Sequence, residues 1–363
     1  STLESSGTGW STLLSDLATK HQADGANDRY YYGALNVSYP SGVAGLGYVP
    51  SAPSASFAYR TAIGWDKTSG YKDGGLFPEV FAHEVGHNMG RPHSPCPLVD
   101  GPANPDPAYP YAGGYIGVWG YDSTTNTLHS PTVDKDIMAY CTPNWVSDYV
   151  YKKILDFRGG TGGFLTVGAE DAPRPKALAT ARECLIVRGI VREDGQVEML
   201  PSFRTKALPT QLPTSGEFTL ECLDQKGTTL FSTALELMEV GCAPKGHDLH
   251  FVMALPLDAT VRDSLTGLQV VKAGQTLASL RSLTAGARIV SAAPEAQRLS
   301  TGKLQLPWDA TIHPAAMVRD ADTGEVIALL SGGRQAITAT GKRFDLVLSD
   351  GVTSRTHRLE PAN

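Results

Sequence analysis

Residues 83–93 read His83-Glu84-Val85-Gly86-His87-Asn88-Met89-Gly90-Arg91-Pro92-His93, and no other stretch restricts the fold as strongly. Residues four apart lie one above the other on a helix. His83 and His87 therefore project side by side and can bind one metal ion at about 2.0–2.1 Å each. Glu84 follows the first ligand, so its carboxylate can reach a metal-bound water without binding the metal, the position of a general base. Gly90 can take a positive φ, end the helix and turn the chain. His93 can then come back to the same ion as third ligand. Three protein ligands leave the fourth position to water, which marks a catalytic zinc site and not a structural one. A bare HExxH arises by chance in many chains; a glycine and a third histidine at fixed spacing make coincidence a poor account.

The HExxHxxGxxH pattern resembles the zinc motif of the metzincin metallopeptidases, which also have a methionine turn beneath the metal. Asp136-Ile137-Met138-Ala139-Tyr140-Cys141 looks like that turn, with Met138 45 residues after His93. The resemblance, to the bacterial secreted type, covers residues 1–160. It implies an α+β metzincin-like catalytic domain with Zn2+ on His83, His87 and His93, Glu84 as base, and Met138 and Gly90 as structural support. A tyrosine two positions after the methionine resembles the astacin and serralysin branches. There the phenol binds the metal at rest and swings to stabilise the oxyanion, a role the resemblance offers Tyr140; a tyrosine packed on the pocket wall is the alternative. Ser94, directly after His93, is closer to the matrixin habit, so the branch stays open. In the metzincin geometry Cys96 and Cys141 both border the metal, and a disulfide between them is implied. Such a bridge implies an oxidising compartment and export. A second zinc site is the weaker alternative, since no CxxC pair exists.

The chain has 363 residues, enough for two or three domains. Its net charge of −6 argues against a nucleic-acid partner, because phosphate binding needs a basic face. No apolar run approaches a membrane span. The opening Ser1-Thr2-Leu3-Glu4 has neither a basic n-region nor an apolar core, and no initiator methionine, as expected of a mature or trimmed form.

Trp10, Leu13, Leu14 and Leu17 mark one helical face, with Thr8 as a cap. Residues 29–37 and 57–65 read as strands. Residues 42–50 resemble the metzincin edge strand on the upper rim of the cleft. Gly45 and Gly47 would leave the backbone open to a substrate peptide adding as another strand; a Gly-rich loop is the alternative. Asp73-Gly74-Gly75 is a turn before a helix from Pro78 to Met89, whose buried stripe would be Phe81, Val85 and Met89, extended by Phe77. Residues 94–135 form a long Pro- and Gly-rich segment with a short strand at 115–119. Asp100, Asp106, Asp122 and Asp134 there could hold a structural Ca2+, or be solvated turn residues. His129 reads as a loop residue. Thr142-Pro143-Asn144-Trp145 would wall the S1′ pocket, before a closing helix at 147–157 capped by Ser147.

Residues 161–180 read as a linker. Beyond it, short strands alternate with turns such as Asp194-Gly195, suggesting a β-sandwich at 181–298 and a small immunoglobulin-like β domain at 299–363. Cys222 and Cys242 could bridge there, leaving Cys184 free. His247 and His250 read as a solvated strand end sooner than a metal pair. The expected function is a secreted, zinc-dependent endopeptidase acting on proteins or glycoproteins. The alternative centres on a glycan- or protein-binding adhesive module in the β-rich half that targets the peptidase. Oligomeric state has no signal in the sequence.

Overall fold

The computed structural model describes residues 3–37, 42–66, 77–97, 101–102, 105–159, 180–243, 248–284 and 294–361. The Asp73-Gly74-Gly75 turn, Asp100, His247 and residues 161–179 of the expected linker lie outside them. The fold is mixed α+β, mostly sheet with few helices. It divides into two compact units. One comprises Ser1–Leu17, Asp28–Leu178 and Met238–Asp248; the other comprises Ala18–Asn27, Ala179–Leu237 and Leu249–Asn363. The segment Met238–Asp248, expected within a sandwich at 181–298, thus counts with the first unit.

Helix α1 (Trp10–Asp24) begins in the first unit, with Trp10 and Leu14 buried one turn apart, and its residues from Ala18 on count with the second. Strand β1 (Tyr31–Leu35) pairs in parallel with β3 (Thr61–Trp65), and β2 (Gly45–Tyr48) pairs antiparallel with the other side of β3. The expected strand at 57–65 is shorter than its sequence pattern, because Phe57–Tyr59 forms a 3-10 turn first. The free side of β2, expected to be open to a substrate peptide, is taken by a strand from far along the chain. Met238–Gly241 runs antiparallel to β2, with Val240 opposite Tyr48 and Gly241 opposite Gly47.

Helix α2 (Phe77–Asn88) carries the metal motif. Its buried face is not the predicted apolar stripe: Phe81 is exposed and Val85 and Met89 are only half-buried. Val80, His83, Glu84, His87 and Asn88 face inward instead. Polar groups can be buried when they find partners, and Asn88 finds two. Its Nδ2 donates to the carbonyls of Tyr48 and Thr61, at 3.0 and 2.9 Å, fixing the helix to β2 and β3. Phe81 packs edge-on against Tyr32.

After α2, the short strand expected at 115–119 falls later, as a hairpin of Gly120–Asp122 with Thr127–His129. Asp106 and Asp122 accept hydrogen bonds from their own turns, at Ala108 N and Thr124 N. Asp134 accepts from Ser130 N and faces His129, whose ring stacks on Trp145. Helix α3 (Asp148–Gly159) is capped as predicted: Ser147 Oγ accepts from Val150 N at 3.1 Å.

The second unit is nearly all strand. Arg182–Val191 pairs antiparallel with Val197–Ala207, across the predicted Asp194-Gly195 turn, and with Leu249–Leu255. Phe218–Leu223 pairs with Thr229–Ala234 and Gly267–Lys272. One apolar core draws on both sheets, through Val187, Phe251, Leu220 and Leu268 among others. A separate core, around Leu306, Val318, Phe344 and Leu346, holds the C-terminal strands. Cys184 and Cys222 are free thiols inside this unit, and Cys242 is also free. The Cys222–Cys242 bridge considered from sequence does not form: Cys222 faces the apolar core, while Cys242 counts with the first unit. His250 is not at a solvated strand end but fully buried. The strand Leu249–Leu255 is covered on both faces, so alternation along it leaves no wet side. No helix among the described residues is long and apolar enough to cross a membrane.

Candidate metal centre

Two ring contacts show how closely the predicted ligands converge. The His87 ring lies 4.9 Å from His83 and 4.6 Å from His93, both edge-on. The helix sets the first pair. The turn at Gly90, whose φ is +71°, brings the third back. A Cβ at Gly90 would also lie 2.8 Å from the Pro50 carbonyl oxygen, so this turn has room for glycine only.

The rings are aimed by backbone acceptors. His83 Nδ1 lies 2.9 Å from the Ile137 carbonyl and His87 Nδ1 2.6 Å from the Arg91 carbonyl. A carbonyl only accepts, so Nδ1 carries the proton and Nε2 keeps its lone pair for a ligand. Burial lowers the proton affinity of both rings, and for His87 the neighbouring His93 and His83 lower it further. Neutral imidazoles are what a metal requires.

A fourth donor joins them. Cys242 Sγ lies 3.1 Å from His93 Nε2, 3.3 Å from His83 Nε2 and 3.4 Å from His87 Nε2. The four ligand atoms all lie within 4.8 Å of one another. A tetrahedral zinc ion with ordinary Zn–N and Zn–S lengths separates sulfur from nitrogen by roughly 3.5 Å. Three nitrogens and a sulfur at these spacings fit such an ion in number, chemistry and reach.

Glu84 is buried beside this cluster, and its Oε2 has no hydrogen-bond partner. Burial pushes its carboxyl well above the ordinary range, partly offset by a hydrogen bond with Cys242. Gly45 explains why β2 can lie so close: a Cβ there would stand 2.5 Å from Glu84 Oε1. A cleft of about 590 Å³ opens at this point, lined by Val43, Gly45, Glu84, Tyr140, Thr142 and Asn144 among others.

Beneath the metal cluster, Met138 is fully buried. The turn containing it is tied to the third histidine's loop by three links. Ser94 N donates to the Met138 carbonyl, and Ser94 Oγ donates to Asp136 Oδ1 at 2.8 Å. The third link is the disulfide Cys96–Cys141, as the resemblance implied. Asp136 is completely buried and also accepts from Met138 N and Ser147 N, so one carboxylate joins the turn to the start of α3.

Residues 68–153 match the family model described as Peptidase M66, and residues 5–94 match the one described as Metallo-peptidase family M12B Reprolysin-like. The two matches overlap on the helix that bears His83, Glu84 and His87. No curated protein and no solved structure matches significantly.

The two matches support a metzincin-type zinc metallopeptidase. The two matched families leave its branch open, as the pairing of Ser94 with Tyr140 already did. Of the residues the motif singles out, His83, His87 and His93 come together with Glu84 beside them and Met138 beneath, and Gly90 makes the turn. Tyr140 stands at the rim, its ring 4.9 Å from His93, with 41% of its surface accessible. Its phenol end nonetheless meets the Cys242 thiol, and desolvation together with Cys242 and Glu84 holds its proton far more tightly than usual.

Cys242 is the site residue that sequence reasoning missed. One signal was available. The cysteine count is odd, and Gly241-Cys242-Ala243-Pro244 is the cysteine flanked by small residues, whereas Cys184 and Cys222 sit in apolar strands.

Proposed function

We propose that this metallopeptidase is an exported endopeptidase in which His83, His87 and His93 hold Zn2+ and Glu84 is the general base. The convergence of three Nε2 atoms beside a buried carboxylate, one of whose oxygens has no hydrogen-bond partner, carries the reading. Zinc bound there would supply the Lewis acidity that activates water and polarises the scissile carbonyl. Glu84 takes a proton from the attacking water and returns it to the leaving nitrogen. The Ile137 and Arg91 carbonyls keep two imidazoles in the ligating tautomer. Tyr140 donates a hydrogen bond from its hydroxyl to the developing oxyanion, supported by its place at the cleft rim and its firmly held proton.

Protein is the substrate class. Export is supported by the Cys96–Cys141 disulfide, since such bonds persist in oxidising compartments. The β-rich unit is read as sandwich-like because one core joins two of its sheets. An adhesive role for it gains little support. Among the described residues, the exposed large apolar side chains cluster at 115–133 of the first unit, including Trp119, Tyr121 and Leu128, while the second unit offers Leu283.

The decisive experiment is Glu84→Ala, made in the parent chain and in a Cys242→Gly background that clears the space between the rings. Zinc content should persist, while cleavage of a denatured protein falls by roughly 10²–10⁴-fold. Undiminished turnover in that variant would remove Glu84 from the base role.

A further inference from the structure

We propose that Met238–Cys242 is an inhibitory segment built into the chain, blocking the metal and the substrate-binding edge together. The proposal rests on the zinc-peptidase reading above and adds to it a latent state.

The first block is at the metal. Catalysis by three histidines needs the fourth position for water. Cys242 Sγ lies among the three Nε2 atoms at 3.1–3.4 Å, where a fourth ligand would sit. A thiolate there closes the coordination shell and turns an open site into a four-protein-ligand site. The same sulfur engages Glu84 and Tyr140, the two groups assigned to handle protons and the oxyanion.

The second block is at the edge of the sheet. An extended substrate adds to a free strand through main-chain hydrogen bonds. Here β2 has no free side, because Met238–Gly241 already pairs with it antiparallel. The register puts Gly241 opposite Gly47 and delivers the next residue, Cys242, to the metal cluster. The segment therefore occupies the track a substrate chain would follow and ends with a metal-binding atom where a scissile carbonyl would lie.

Two local features fit a fixed delivery. A Cβ on Gly241 would stand 2.7 Å from the His87 ring, so only glycine lets the strand pass this close. Cys242 has a φ of +62°, uncommon for a residue with a side chain. Such a conformation persists where the surroundings over-determine it, often at functional sites. Withdrawal of this one segment would open both the metal position and the β2 edge.

The test uses the full chain and does not depend on turnover alone. With cobalt in place of zinc, the parent protein should show a sulfur-to-cobalt charge-transfer absorption in the near ultraviolet, and Cys242→Ala should lack it. Acetohydroxamate, a small chelator that needs an open coordination position, should bind Cys242→Ala at least about tenfold more tightly than the parent. Cleavage of a denatured protein should rise by a similar factor. Cys242→Gly, which suits the observed φ, serves equally should the alanine variant fold poorly. A parent protein without the charge-transfer band, or one that binds acetohydroxamate as well as its variant does, overturns the latch. If the band and the hydroxamate difference appear while neither protein cleaves anything, the latch stands and the peptidase reading falls. If the variant loses its metal as well as the band, Cys242 belongs to a structural zinc site and the latch is overturned.

Discussion

In the first unit His83, His87 and His93 are buried together; in the second His250 is buried in the strand Leu249–Leu255, away from any such cluster among the described residues. Burial makes protonation unfavourable in both places, and it pushes the His250 ring down to about 3. What separates the two regions is aim. His83 and His87 each meet a backbone carbonyl through Nδ1, so their free nitrogens point to one place. His250 sits in an apolar strand, Leu249–Leu255, and belongs to no group of three or more metal-binding side chains among the described residues. A buried imidazole is therefore no sign of a metal site until other donors share its direction. The cysteines repeat the lesson: Cys222 is sealed in a core, and Cys242 lies among nitrogens.

The sharpest way to break the comparison is to remove one histidine from each region. His87→Ala should release the metal and cut peptide hydrolysis by at least roughly a thousandfold, whereas His250→Gln should leave metal content and hydrolysis intact. Elemental analysis beside a peptide-cleavage assay reads both, and metal loss from His250→Gln would erase the distinction. Next in size is the staple of the metal-bearing unit. Cys96 and Cys141 are 45 residues apart. In the chain-entropy account, closing a loop of that length contributes about 4 kcal/mol. Cys96→Ser with Cys141→Ser should lower the thermal midpoint clearly, while Cys222→Ser, which breaks no bridge, should shift it less.

The third test concerns pH. The folded-state value of His250 lies below its ordinary 6.5, so the native ring stays neutral while the unfolded chain takes up a proton. Stability from this group is full above pH 6.5 and declines as pH falls toward 3, by up to about 1.4 kcal/mol per unit. Denaturant titrations across that range should show a flatter acid limb for His250→Gln. Equal slopes would mean that His250 is not held neutral. Smallest is Ser94→Ala, which removes one donor to the buried Asp136 and should cost about 1–2 kcal/mol of stability. Matching denaturant midpoints for parent and variant would show that this link is not needed.

The parts of the centre legible in sequence were those set by local geometry. His83, Glu84 and His87 are fixed by the pitch of one helix, and His93 by one turn. Met138 and the Cys96–Cys141 bridge came through resemblance. Two features were hidden because they depend on partners far along the chain. Cys242 lies 155 residues beyond His87, and no spacing rule connects them. The same distant segment closed the edge of β2. The inward face of α2 was misread for another reason. Apolar periodicity favoured Phe81, Val85 and Met89, but the helix buries its functional groups, with Asn88 satisfied by two strand carbonyls. In the second unit most strands were visible as apolar runs between turns. Thr229–Ala234, Gly267–Lys272, Gln275–Arg281 and Ser354–Leu359 were among those passed over, as was Met238–Gly241 in the first unit.

The triple fastening of Ser94 and Cys96 to residues 136–141 has one more consequence. The chain leaves this fastening at Cys96 and returns to it at Lys135, and on the way it carries an exposed hairpin, Gly120–Asp122 with Thr127–His129. Insertions or grafts at the exposed tip of that hairpin, residues 123–126, should leave the imidazoles in their positions. That tip is thus the exchangeable part of the stretch, whereas Asp106, whose N–H donates to the His93 carbonyl, braces the third ligand and has to stay.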